Sequence, residues 1–176
     1  WMNRSSLLYG PFSVVWGLGA VVLTVVLQQL EDKPDRCVFL GGCVLGGVYE
    51  YLCSVFTELV FGTVFWDYSH MPLNLGGRIN FLYCIFWGLL AVLWLRVLYP
   101  PMDQAIEKLP PLAGKITTWV LITLMLCNCA LTCAAMLRYT DRRSEAPKNG
   151  VVESFLDERY PDRYMEERWP NMQVTE

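Results

Sequence analysis

The sequence predicts an all-α fold, a polytopic transmembrane helical bundle, and three observations predict it. The 176 residues are 54% hydrophobic with a mean hydropathy of +0.31, values ordinary for an integral membrane protein and unusual for a soluble domain. Four stretches, about 12–30, 37–61, 79–99 and 116–137, approach or exceed the roughly 20 apolar residues that cross a bilayer. The net charge of −3 is spread over loops and tail, with no basic patch of the kind nucleic acid requires.

The elements follow in order. After the arm WMNRSSLLYG, Pro11 suits the first turn of a helix over Phe12–Leu30. That segment lacks the basic lead and cleavage site of a secretory signal. The stretch EDKPDR, residues 31–36, closes it. The second helix, Cys37–Phe61, would be roughly 37 Å long at about 1.5 Å per residue, so it must tilt or protrude. A polar connector, residues 62–78, leads to a third helix, Ile79–Tyr99, which Pro100 and Pro101 should end. A Pro-rich loop then precedes the fourth helix, Ile116–Leu137. Residues 1–138 therefore form a transmembrane helical domain and 139–176 a polar, acidic tail. Within that tail TDRRSEAPKNG is a linker, and the remainder is expected to hold one short surface helix or to be partly disordered.

Basic residues set the expected topology. With four spans, the arm, the connector and the tail share one side, which carries Arg4, Arg78, Arg138, Arg142, Arg143 and Lys148. Lys33, Arg36, Lys108 and Lys115 lie on the other. Arg138, Arg142 and Arg143 cluster at a helix end, where such charges count most, so connector and tail are expected on the cytoplasmic face. All seven cysteines fall inside the expected spans, where free cysteine packs as a small hydrophobe. Cys127, Cys129 and Cys133 share part of a helix face but lack CxxC spacing and a nearby histidine, so no metal site is expected.

Glu50 lies near the midpoint of the second helix, where a charge costs about 2.5–3.5 kcal/mol and usually faces a bundle interior. Ser54 and Glu58 follow at the same face, a polar stripe descending to the connector. Asn128 lies at a similar depth in the fourth helix and is a candidate partner for Glu50. Glu50 is thus either a hydrogen-bonded strut between helices or part of a substrate or ion path. Gly42 and Gly46 form GxxxG, with Gly41, Gly47 and Cys43 extending the small surface. The motif supports close helix packing against an internal helix or a second subunit. In the connector, Trp66 and Tyr68 suit the interfacial aromatic belt, Asp67 a turn, and Gly76-Gly77 a tight bend. Arg78 is able to snorkel to headgroups. Together Glu58, Asp67, His70, Asn74 and Arg78, with Arg4 nearby in topology, exceed what a turn needs. They form a polar network at the helix mouth, either a binding site or a structural clasp. No catalytic residues are assigned. His70 is the sole histidine, no serine sits in GxSxG, and no GxxxxGK[ST] is present, so this chain has no P-loop for ATP. A carboxylate pair such as Glu58 and Asp67 leaves open a membrane enzyme acting on a lipid-like substrate.

The ordered string NRSSLLYGPF…WGLGA…EYLCSVFTELVFGTVFWDYSHMPLNLGGRINFLYCIFWGLL resembles the CmpB-type family of bacterial integral membrane proteins, ABC-transporter permeases of type IV. The resemblance rests on Arg4, Gly10 and Pro11; Glu50, Glu58 and Phe61; Trp66, Asp67, Tyr68 and Ser69; Asn74, Gly77, Arg78 and Ile79; and Trp87 and Gly88. Ser5 stands where the family usually has Gly, and Val14-Val15-Trp16 where it has Pro-Ile-Tyr. Family members usually carry a further apolar segment, with its own Glu, before the arm. The resemblance implies a permease component in a bacterial cell membrane with a cytoplasm-facing polar pocket. It also implies a separate ATP-binding subunit, docking on the connector or tail, and a homo- or hetero-oligomer, because four or five spans are few for a permease. No cofactor is implied. A structural or regulatory membrane protein is the third expectation.

Overall fold

The computed structural model describes residues 5–143 and 150–174. The first helix, α1, runs Val14–Leu27 and tightens into a 3-10 turn at Gln28–Leu30. It begins later than Pro11 predicts, because the arm is bent back on itself. Gly10 takes a positive φ of 75°, the Ser6 amide donates to Phe12 O, and the Val14 amide donates to Ser6 Oγ at 2.6 Å. The serine hydroxyl thus satisfies one of the orphan donors of the first turn.

Helix α2 spans Asp35–Phe61, two residues longer at its start than expected. Helix α3, Phe81–Leu93, begins where Asn80 accepts from the Leu82 amide at 2.8 Å. Pro100 and Pro101 do not end the third span. A π-helical turn at Trp94–Leu98 hands over to α4, Tyr99–Glu107, so one helical rod runs Phe81–Glu107. A proline inside a regular α-helix loses a hydrogen bond and clashes with the carbonyl four residues back. The π turn resets the register so that both prolines fall in the first turn of α4, where a missing N–H costs least. Helix α5 is the longest, Pro111–Asp141.

Among the described residues, three helices are long and apolar enough to cross a membrane: Asp35–Phe61, Phe81–Glu107 and Pro111–Asp141. The fourth expected span, Val14–Leu30, is a shorter apolar helix, near the lower limit of about 17 residues for a crossing. Leu40, Val44, Leu59, Trp119 and Leu124 are all more than half exposed. Apolar faces of this extent suit a lipid surround.

The chain divides into two compact units. One comprises Val15–Ser54 and Asp67–Thr118. Its core is Leu23, Leu27, Val38, Trp87, Ala91 and Leu95. Here the GxxxG face finds its partner within the chain. A Cβ on Gly46 would lie 2.3 Å from Trp87 Cγ, and one on Gly42 2.4 Å from Ala91 Cβ. From the other side, a Cβ on Gly88 would meet Cys43 Sγ at 2.5 Å. Small residues on both helices therefore let α2 and α3 approach closely. Arg96 fastens the α1–α2 turn, donating to Glu31 O and Lys33 O at 2.7 and 2.8 Å and pairing with Asp35 at 3.0 Å.

The other unit comprises the arm up to Val14, Val55–Trp66, and the chain from Trp119 onward. The tail contributes α6, Val151–Arg159, and α7, Asp162–Arg168. Its last described residues, β4 (Gln173–Val174), pair antiparallel with β1 (Thr63–Val64). Leu8, Met136, Tyr139, Leu156, Tyr160, Met165 and Trp169 form its core. Arg168 donates to Leu7 O and Gly10 O, and the Trp169 indole donates to Ser5 O at 2.9 Å. Arg138 pairs with Asp157 at 2.6 Å and Asp141 at 2.7 Å, Arg142 with Asp157 and Asp162 at 2.6 Å, and Arg143 with Glu166 at 2.8 Å.

Candidate functional site

The connector folds as a self-bonded turn. Its strands β2 (Asn74–Leu75) and β3 (Ile79–Asn80) pair antiparallel, with Asn74 opposite Asn80. Gly76 and Gly77 both take positive φ, 61° and 70°, a conformation that side-chain-bearing residues rarely adopt. At Gly77 space is also closed, since a Cβ there would lie 2.6 Å from Asp67 Oδ1. Asp67 accepts from the Ser69 amide and hydroxyl, both at 2.8 Å. These bonds hold its carboxyl below the usual carboxylate range, with a small contribution from His70. Asn74 donates to Met71 O at 2.7 Å and accepts from the Gly77 amide at 2.9 Å. The Tyr68 amide donates to Gly77 O at 2.7 Å, and buried Asn80 donates to Pro72 O at 2.6 Å. Trp-Asp-Tyr-Ser and Asn-x-x-Gly-Arg are therefore two strands of one knot, each stretch capping the backbone of the other.

Two side chains leave this knot for α2. The Tyr68 hydroxyl donates to Glu50 Oε1 at 2.8 Å, and its ring stacks on Tyr83 with centroids 4.6 Å apart. Arg78 donates to buried Ser54 Oγ at 3.2 Å and lies over the Tyr51 ring at 5.9 Å. The second oxygen of Glu50 accepts from the Trp87 indole of α3 at 3.2 Å. Trp87 in turn stacks on Trp16 and meets Tyr49 edge-on. Glu50 is half-buried and is bonded by two neutral donors, the Tyr68 hydroxyl and the Trp87 indole. A carboxylate so placed can stay ionised by these bonds, or carry a proton with one donor released. Either way its state is coupled to the position of Tyr68.

The remaining expected residues are placed as follows. His70 is exposed on the connector. Glu58 lies two turns beyond Glu50 on α2, in the unit that holds the arm and tail. Asn128, in that same unit, bonds the Tyr9 backbone, donating to its oxygen at 2.8 Å and accepting from its amide at 3.4 Å. Arg4 lies outside the described residues. Sequence reasoning assigned Tyr68 to the aromatic belt and gave Trp87 no role of its own; both prove to be the donors to Glu50. Their signal was present, since both belong to the string that carries the family resemblance. Among the described residues no group of three or more His, Cys, Asp and Glu side chains is placed to hold a metal ion.

Helices of this length and apolarity around a bonded carboxylate define a polytopic membrane protein. The chain belongs to the CmpB family, whose model (ABC_trans_CmpB, "Putative ABC-transporter type IV") matches residues 1–133. No curated protein and no solved structure matches it.

Proposed function

We propose that this chain is a permease component of an ABC transporter in a bacterial cell membrane, with the 62–78 connector as the element that a separate ATP-binding subunit engages. One observation carries the reading. The connector is bonded to itself and its Tyr68 reaches the mid-helix carboxylate Glu50, which supports a path by which motion at the connector enters the membrane helices. The proposed polar pocket is built on Glu50, Asp67, His70, Asn74 and Arg78. The family assignment supports transport, and on this reading ATP hydrolysis falls to a separate subunit, since these residues hold no P-loop. The excess of Arg and Lys on the arm, connector and tail supports a cytoplasmic location for all three.

A second reading is favoured by a specific feature. Asp67 and Asn74 spend their hydrogen bonds inside the connector, as members of a structural clasp would. The test is purification from native membrane in mild detergent, with mass spectrometry of what stays bound and crosslinking from position 70 or 73. A stoichiometric P-loop ATPase crosslinked to the connector is the expected result. A homo-oligomer that carries lipid and no ATPase would refute the permease reading and leave the clasp or an enzyme.

A further inference from the structure

We infer that α6 is an interfacial helix, seated on the bilayer surface by Val151, Val152 and Phe155, and that the tail is thereby a membrane-bound strap. The three side chains are 90%, 65% and 58% exposed. At about 100° per residue they span one side of the helix, and Leu156, on the adjoining side, is buried in the core. Water would be an unfavourable surround for such a face, and within its own compact unit the chain leaves it uncovered.

The bilayer is the occupant because this face continues the lipid-facing surface of α5. A groove of about 560 Å³ runs between the two helices, lined by Ala134 and Leu137 of α5 and by Val152 and Leu156 of α6. Leu137 is itself 48% exposed and belongs to a helix long and apolar enough to span the membrane. Val152 therefore sits at the level of the last apolar turn of α5, where hydrocarbon meets headgroups. Arg138 and Asp141 lie on the polar side of the same groove, and the Arg138–Asp157 pair fixes α6 against α5. The depth of the apolar face is thus set by the transmembrane helix. Interfacial helices bury such a face about 5–10 Å into the boundary. Glu153 and Asp157 lie on the opposite side of α6, while Glu158 beside Val151 and Arg159 between Phe155 and Val152 edge the apolar face with opposite charges, so apolar burial, with no net attraction to anionic lipid, does the seating.

The test uses the full chain in phosphatidylcholine vesicles, with an environment-sensitive fluorescent amino acid encoded at position 155 or, as a control on the far edge of the helix, at exposed position 154. Quenching by doxyl-labelled lipid is compared with quenching by aqueous iodide. At 155 the lipid-to-iodide quenching ratio should be several-fold higher than at 154, with a blue-shifted emission, and should be unchanged when phosphatidylglycerol is added. Equal iodide quenching at both positions would overturn the inference. So would lipid quenching that arises only with phosphatidylglycerol. Because the label replaces one already exposed side chain, helix content measured on the same samples confirms that the fold is intact.

Discussion

Gly46→Ala is the sharpest probe of the packing that places Trp87 on Glu50. The added Cβ would lie 2.3, 2.4 and 2.6 Å from Trp87 Cγ, Cβ and Cδ2. Carbon atoms rest at about 3.5–4.0 Å, so indole and helix must part by more than about 1 Å. The neighbour is a rigid ring root, flanked by Trp16 and Tyr49, and cannot swing aside as a flexible chain would. Overpacking of this kind costs about 1–3 kcal/mol, and a 1 Å shift of Trp87 would also stretch its 3.2 Å bond to Glu50 past hydrogen-bonding range. The stretched hydrogen bond adds about 1 kcal/mol and replacing a helical glycine by alanine returns about 1 kcal/mol, so the expected net loss is about 1–3 kcal/mol. Gly17→Ala isolates the propensity part, because nothing lies within 4 Å of a Cβ there. That variant gains the propensity alone and should be neutral to about 1 kcal/mol more stable. Unfolding in mild detergent, followed by far-ultraviolet circular dichroism, reads both. If the two variants shift stability in the same direction by the same amount, close α2–α3 packing at Gly46 is refuted.

Other outcomes follow from single bonds. Tyr68→Phe keeps the stack on Tyr83 and removes one donor from Glu50, so it should cost about 1 kcal/mol; no loss in the same unfolding assay would mean the hydroxyl is idle. Arg168→Ala removes the donor to Leu7 O, Ser5 Oγ and Gly10 O and should speed hydrogen exchange over residues 5–12 with little change in α3; unchanged exchange in the arm would contradict its role. Asp157 has its carboxyl held at about 2, below its ordinary 3.8, first by the hydrogen bond from Arg138 and also by Arg142, against a smaller opposing cost of burial. Because the folded value is the lower one, its contribution is full above about pH 4 and is lost as pH falls toward 2. Discounted for an exposure of 35%, that contribution is about 1 kcal/mol. Pepsin cleavage within 150–174 should rise over this window, and Asp157→Asn should flatten the dependence; a profile unaltered by the substitution would sink the assignment.

The helical class and three of the four helix positions were legible because apolar length is a property of the chain itself. The start of α1 was not, since Pro11 signals a helix only if the preceding chain is free to run straight, and Gly10 and Ser6 bend it. The passage of the third helix through Pro100 and Pro101 was hidden as well, because a π turn is a rearrangement of hydrogen bonds that no residue type announces. GxxxG foretold close packing, but its partner, Trp87 and Ala91 on α3, needed three dimensions. Arg138 and Arg142 were counted as topological charges. Their i, i+4 spacing also puts both on one face, and Asp157 sits between them. A sequence can show that two cations share a face, but not that a carboxylate some twenty residues on returns to it.

The connector gains its meaning from what its polar residues do not do. Asp67, Asn74 and Asn80 are turned inward on Ser69, Met71, Gly77, Pro72 and Leu82, which makes the turn stiff without spending Tyr68 or Arg78. Those two leave it on the α2 side, four residues apart on the target helix, at Glu50 and Ser54. A stiff body with two bonds to one helix face acts as a lever: tilting it lengthens one bond before the other. The Tyr68 bond ends on a carboxylate that Trp87 of α3 also holds, so connector, α2 and α3 meet at one side chain. A turn that only joined two helices would need neither bond; a clasp uses both, and so does a connector that carries motion inward as proposed above.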